Sequence, residues 1–219
     1  MLTRFVDSFK SKDVRGRIFF TLSILLIYVL GLLIAVPGVE ANVGQALADN
    51  DILGIMNMLS GGALDSFSIF ALGVSPYITA SIIVQLLQMG VLPKLQELSE
   101  QGEAGRRKIS QYTRIFTVVL AAFQSIVFMA YMSHLPGAIT AGVNHTAFYI
   151  SSVLTLTAGS VLVMWMSELI TEKGIGNGGS LIIFVGIISG IPLYASRTWQ
   201  LVANNTALIW GLILLLTIF

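Results

Sequence analysis

Few residues in this chain have the side chains that covalent chemistry needs. There is no cysteine, which excludes thiol nucleophiles, Cys-based metal sites and disulfides. His134 and His145 flank a stretch carrying Pro, Gly and Asn, and neither has a second ligand at a helical spacing. Both are expected in an external loop. Glu168 and Glu172 stand at the end of an apolar run, not inside one. An intramembrane protease or transferase needs a nucleophile with a base, or a metal cluster. A proton- or sodium-coupled transporter or a voltage sensor needs ionisable groups within its spans. The centres of the apolar runs hold neither kind of group. Nothing resembles a phosphate-binding loop, so ATP hydrolysis by this chain is not expected, and no metal or cofactor is implied.

What remains is mild polarity in apolar surroundings. Ser75, Thr79, Ser81, Gln85 and Gln88 share one run, and Gln124 and Ser125 sit in the next. Such residues ordinarily let helices approach closely in lipid. The first of the two runs is the exception. Pro76 is expected to kink its helix or widen its first turns, and Thr79, Gln85 and Gln88 form a broad polar stripe. A Pro-broken helix with a polar stripe is expected to line something. One cluster is strongly basic, Arg106-Arg107-Lys108. Its role is either to fix orientation against anionic lipid or to dock a phosphate-bearing partner.

The elements that position these residues are legible from where charges are missing. Of 219 residues, 55% are hydrophobic and only 11% charged, against about 45–50% and about 25% in soluble domains. That composition describes a membrane protein and excludes a disordered chain, a disulfide scaffold and a basic nucleic-acid binder. A spanning helix needs about 20 mostly apolar residues. The charge-free intervals after Arg17, Asp65, Arg114, Lys173 and Arg197 meet that length. The interval from Arg114 to Glu168 is too long for one helix and holds turn residues from His134 to Thr146. The predicted spans are therefore 18–37, 69–92, 115–133, 147–168, 180–196 and a cut-off 206–219. Threaded so, every Lys and Arg except Arg197 falls on the side of the N-terminal tail, which predicts a cytoplasmic N-terminus. The last apolar run has no exit loop or flanking charge, as expected of a fragment of a longer membrane protein. Met56 to Asp65 is half apolar and too short to span. It reads as either an amphipathic external loop or a short re-entrant piece, which is tolerated at depth only when buried in protein or lining a cavity.

Three blocks carry a family resemblance. Ser60-Gly61-Gly62-Ala63-Leu64 through Leu87 resembles the plug and second span of the SecY family, the channel subunits of the bacterial protein translocase. Gly102 to Lys108 with Tyr112-Thr113-Arg114 is similar to that family's first large cytoplasmic loop, and Ile170 to Gly178 to its loop into the fifth span. The blocks occur in the family's order and spacing. The resemblance implies an all-α polytopic membrane protein: the N-terminal five-span half of the SecY fold plus a partial sixth span, with a short re-entrant plug helix. It implies a cytoplasmic tail over 1–17, the five-span half over 18–196 with its plug at about 59–68, and a hinge loop with a truncated sixth span over 197–219.

The same resemblance implies a protein-conducting channel of the cell membrane, not an enzyme, with no cofactor. Its aliphatic pore ring maps onto Val74 and Ile78 from the second span and Gly179 and Ile183 from the fifth, each an i, i+4 pair. Gly179 departs from the family's usual aliphatic residue, so either the ring is looser there or Leu181 or Ile182 fills it. The plug maps onto Ser60, Gly61, Gly62, Ala63, Leu64 and Asp65. Thr79, Gln85 and Gln124 are the candidates for a lateral gate, and Arg106, Arg107 and Lys108 for cytoplasmic docking to the SecA ATPase or a translating ribosome. Further implied partners are the SecE and SecG subunits, signal peptides and nascent polypeptides, membrane lipids and the missing C-terminal half. The competing expectation is half of an inverted-repeat secondary transporter, suggested by the Pro-broken span and the Gly174–Gly179 loop.

Overall fold

The computed structural model describes residues 12–36, 57, 60–64, 66–134 and 144–204. Six α-helices run through them: α1 (Lys12–Leu32), α2 (Ser75–Leu86), α3 (Pro93–Glu100), α4 (Glu103–Ser133), α5 (His145–Lys173) and α6 (Gly178–Asn204). α1, α4 and α5 are each long and apolar enough to cross a membrane, and α6 carries an apolar stretch from Gly178 to Pro192. α2 is joined to α3 through a bend of 96°. The expected span 206–219, most of the tail 1–17, and Asp65 lie outside the described residues.

The helices pack by an inverted pattern, as lipid dictates. Phe19, Leu22, Leu26 and Leu30 of α1, and Ile115, Val119, Phe123 and Ile126 of α4, point outward. The inner faces mix large apolar residues with small or hydroxylic ones: Thr117, Ala121 and Ser125 on α4, and Ser152, Gly159, Ser160 and Ser167 on α5. With no hydrophobic drive between helices, close backbone approach and polar contacts hold the bundle. α4 and α5 run antiparallel. Thr157 Oγ1 donates to Ser125 Oγ at 3.1 Å midway along them, and Arg114 Nε lies 2.9 Å from the Glu168 carboxylate at one end. The two charges that bracket the longest uncharged interval thus neutralise each other at one level. At that same end Thr21 Oγ1 of α1 accepts from the Ile175 amide at 3.1 Å, which ties α1 to the α5–α6 turn.

The second span differs from its expectation. Residues 69–74 form turns, and the helix begins only at Ser75 and runs 12 residues. It loosens into a π-helical turn over Leu87–Val91, where Gly90 adopts φ +108°. Pro76 therefore kinks nothing. It sits in the first turn of α2, where the missing N–H would have had no partner and the fixed φ favours initiation. The basic cluster also differs: Arg106, Arg107 and Lys108 lie exposed on the opening turns of α4, not in a loop.

A non-helical strap, described over residues 60–64 and 66–74, threads between the helices. Gly159 of α5 packs so closely on the strap that a Cβ there would overlap the Ile69 carbonyl oxygen. Gly159→Val should lower the apparent melting temperature of the full-length protein in detergent, at a cost of about 1–3 kcal/mol for overpacking. Gly16→Ala, a helical position where a Cβ meets nothing within 4 Å, should not lower it.

Candidate pore waist and plug seat

The strap splits the core in two. Leu64, Phe67, Ala71 and Leu72 pack with Phe128, Met129, Phe148 and Leu156 of α4 and α5. Ala63, Phe70 and Val74 turn the other way, to Tyr28, Leu32, Val163 and Ile182 of α1, α5 and α6. Phe67 stacks on Phe128 with ring centroids 5.6 Å apart, and Phe70 on Tyr28 at 5.7 Å. Phe67 holds φ +45°, the one positive φ outside glycine among the described residues. That backbone is unfavourable for a bulky side chain by roughly 1–2 kcal/mol, and burial of the ring, 1% exposed, offsets it.

Away from water the strap's own polar groups need partners. Asn57 supplies several. Its carbonyl accepts from the Gly62 amide at 2.8 Å and from Ser60 Oγ at 3.0 Å. Its side-chain Oδ1 accepts from the Leu64 amide at 3.1 Å. The base of the strap is tied to the end of α1. Ser68, fully buried, donates to the Gly31 carbonyl at 3.1 Å and accepts from the Phe70 amide at 3.1 Å. The Val36 amide donates to the Phe67 carbonyl at 2.9 Å, and the Ile69 amide to the Ile34 carbonyl at 3.0 Å. The described part of the expected plug, Ser60 to Leu64, is thus a set of turns organised by Asn57.

A cavity of about 160 Å³ opens at the head of α2. Val74, Ile78 and Thr79 wall it from α2 and its cap, Ile183 from α6, Tyr28 from α1, and Ser60 from the strap. The structure therefore brings three of the four expected ring positions together with one plug residue and one gate candidate. Gly179 is elsewhere. It lies buried in the first turn of α6, where a Cβ would meet Asn177 Oδ1 at 3.3 Å and Ser167 Oγ at 3.5 Å. Ile182, one of the two residues considered as a substitute, is fully buried against α1 and α5. The gate candidates are scattered. Thr79 Oγ1 donates to the Ser75 carbonyl at 3.0 Å beside the cavity. Gln85 is exposed and donates to Ser81 Oγ at 3.4 Å, and Gln124 Oε1 is enclosed on α4 with no hydrogen-bond partner. Tyr28 and Asn57 escaped sequence reasoning. The available signals are the lone tyrosine of the first apolar run and an asparagine amid the apolar residues 52–59.

His134 ends α4 with Nδ1 2.8 Å from the Ala130 carbonyl, and His145 opens α5. Among the described residues no group of His, Asp and Glu is arranged to hold a metal ion.

These features define a class: a helical, membrane-embedded protein with an apolar cavity at the head of its second helix, walled in part by a non-helical strap. Solved channels share the fold. Canine Sec61 in the ribosome-channel complex matches with a TM-score of 0.57 at 19% identity, over 81% of this chain and 37% of that one. A solved protein-conducting channel matches with a TM-score of 0.57 at 18% identity, over 81% and 37%. The SecY family model matches residues 68–219. The protein translocase subunit SecY of Lactococcus lactis subsp. cremoris is 52% identical over 187 residues, 85% of this chain and 42% of that protein. Its counterpart in Bacillus subtilis is 44% identical over 198 residues, 90% and 46%. The chain belongs to the SecY family, and it spans less than half the length of these relatives.

Asn57→Ala in the full-length protein strands the Leu64 amide in an apolar site, at a cost of about 1–3 kcal/mol. Hydrogen exchange should show faster exchange at Gly62 and Leu64 while the amides of α5 keep their protection. Unchanged exchange at both would show that Asn57 does not hold the turn.

Proposed function

We propose that this chain is the N-terminal part of a protein-conducting channel. In this reading it passes unfolded polypeptides across the cell membrane and releases membrane segments sideways into lipid. The observation that carries the proposal is the waist cavity, where Val74, Ile78 and Ile183 converge from two helices beneath the strap residue Ser60. A narrow aliphatic constriction opposes ions and water by dewetting. It is also deformable and indifferent to the polarity of what passes. No catalytic group is needed, so the driving energy comes from a partner, the SecA ATPase or a translating ribosome.

The remaining assignments follow the same logic. Residues 18–196 form the five-span half, residues 1–17 a cytoplasmic tail, and 197–219 the hinge and the start of the sixth span. Val74, Ile78 and Ile183 form this half's share of the ring. Gly179, beside the Gly178 that packs on the Ser167 backbone, contributes no side chain to the constriction. Ser60 to Leu64, with Asp65, serve as the plug. Thr79 is the gate residue best placed, beside the cavity, with Gln85 and Gln124 flanking the α2–α4 side of a gate whose other side belongs to the C-terminal half. SecE and SecG are the companion subunits, and signal peptides, nascent chains and lipids the transient ones. Arg106, Arg107 and Lys108 dock the cytosolic partner. Cations in the opening turns of a helix oppose its dipole, so their placement serves something other than helix stability. The transporter alternative loses its structural support, because Pro76 starts a helix instead of breaking one. The Gly174–Gly178 stretch is a capped turn in which the Gly178 amide donates to Thr171 Oγ1 at 2.9 Å.

Ile78→Asn in the full-length channel with its partner subunits in liposomes should raise ion leak through the idle pore, whereas Ile78→Leu should keep the seal. An Ile78→Asn channel that seals like its parent would remove Ile78 from the ring and take the central observation with it.

A further inference from the structure

A second recess, of about 390 Å³, opens between the end of α2, α3 and α4. Its volume falls within the roughly 300–1,000 Å³ of ordinary small-ligand sites. Phe116 and Val119 of α4 line it, with Val84 and Leu87 from the end of α2 and Leu95 from α3. Its polar members are Lys94 and Tyr112. Along α4 the lining runs from Val119 to Tyr112, about 10 Å at 1.5 Å per residue. Lys108 precedes Tyr112 by one turn of the same helix, so the phenol marks the end nearest the basic cluster. The recess is therefore polarised, with hydrocarbon along its length and a phenol and an ammonium at one end. Glu97 and Glu100 of α3 stay outside its lining. Val119 is 58% exposed on the outward face of α4, so the recess opens toward lipid.

These features favour a lipid over a partner helix. A spanning helix laid along α4 would run into α3, which turns 96° from α2 and lies across that end of the recess. A phospholipid ends at the same level. Tyr belongs at the headgroup boundary, and a Lys stem lies along apolar surface while its ammonium reaches a phosphate. The bend itself is weakly supported by protein. None of the residues in the π-helical turn Leu87–Val91 is buried. The turn is closed by the Leu92 amide, which donates to the Leu87 carbonyl at 3.0 Å, and Leu87 is the residue of the turn that faces the recess.

We propose that a resident anionic phospholipid occupies this recess. One acyl chain lies along Phe116 and Val119, the phosphate sits on Lys94, and the chain supports the bend between α2 and α3 through Leu87. Such occupancy requires only a membrane-embedded chain, so it stands apart from the channel reading above.

The test uses the full-length protein with its companion subunits in phosphatidylcholine liposomes. These carry a small fraction of phosphatidylglycerol with a photoactivatable diazirine in mid-chain. Labelling of the segment from Ile115 to Val119 should exceed labelling around Leu22 and Leu26 of α1, which are 57% and 62% exposed. The expected excess is about tenfold, the scale of one hydrogen bond to a charged group. Lys94→Gln should abolish the excess and Lys94→Arg should keep it, and the same probe on phosphatidylcholine should show none. Labelling no greater than on α1 means bilayer lipid only and overturns the site, as does an excess that survives Lys94→Gln. An excess that appears only after the companion subunits are stripped away gives the recess to a protein partner and also overturns it. Hydrogen exchange reads the supporting role. The Leu92 amide should exchange more slowly when phosphatidylglycerol is present, in the parent but not in Lys94→Gln. Equal exchange with and without phosphatidylglycerol overturns the support of the bend.

Discussion

Irregular backbone inside a membrane protein has no water to turn to, and the strap lives under that constraint. Each unsatisfied amide or carbonyl there costs several kcal/mol in an apolar site. The surrounding structure can be understood as a set of answers. α1 ends at Leu32, and the following residues Ile34 and Val36 present backbone groups to the strap in place of another helical turn. Ser68 gives up both its donor and its acceptor capacity to main-chain groups. Asn57 accepts from the tip through both its backbone carbonyl and its side-chain Oδ1. Removing any of these leaves a buried polar group whose alternative is not solvent but nothing.

The same constraint selects small residues on the helices around the strap. A strap with its own side chains is wider than a helix seam, so the walls must recede. Gly159 lets the Ile69 carbonyl lie against α5, and Gly31 makes room for the Phe70 ring against α1. Larger residues there would push the strap out of the bundle, and its hydrogen bonds with it. The apolar side chains that remain, Leu64 and Phe67 toward one cluster and Ala63 and Phe70 toward the other, fix the strap's rotation between the two halves of the core. Packing thus decides the register, and hydrogen bonds decide which backbone shapes are permitted at all.

How much of this the sequence discloses depends on the range of the interaction. Long charge-free intervals report on lipid, so α1, α4, α5 and α6 fall where absent charges place them. Arg114 and Glu168 bracket the α4–α5 pair both in sequence and in space. Pro76 is different. A proline within an apolar run signals a kink when the helix extends on both sides and a start when it does not, and what halts the helix at Ser75 is the strap, which no local pattern encodes. The basic residues at 106–108 carry poor signals for a helix start, so their helical state comes from the α3–α4 hairpin, where Gly105 packs on the Leu98 carbonyl. Gly179 shows the reverse limit. Family spacing places it in the ring, but an absent side chain cannot line anything, and it is its neighbour Gly178 whose missing side chain lets α6 lie against the Ser167 backbone. The Asn57 turn is illegible in sequence because two of its partners, at Gly62 and Leu64, are backbone amides that almost any residue type would supply.

The channel proposed above makes two demands of its seal, and the cavity at the head of α2 and the strap beside it answer them differently. The strap is rich in hydrogen bonds at its base and makes few demands at its tip, where Gly61 meets Gly186. The waist is aliphatic, so its side chains can part without leaving a charge or an amide exposed. A seal built instead from ion pairs would be costly to open, because each separated charge would face an apolar wall. The described span interiors keep the Arg114–Glu168 pair at one end of the α4–α5 seam, away from the cavity, and leave Tyr28, Ser60, Ser75 and Thr79 as the polar groups that line it. Hydroxyls of this kind can exchange helix carbonyls for water or a passing peptide at little cost, as Thr79 shows by bonding back to Ser75 of its own helix. In the proposed channel, tightness at rest and ease of opening therefore come from different parts of one chain, and neither has to be sacrificed for the other.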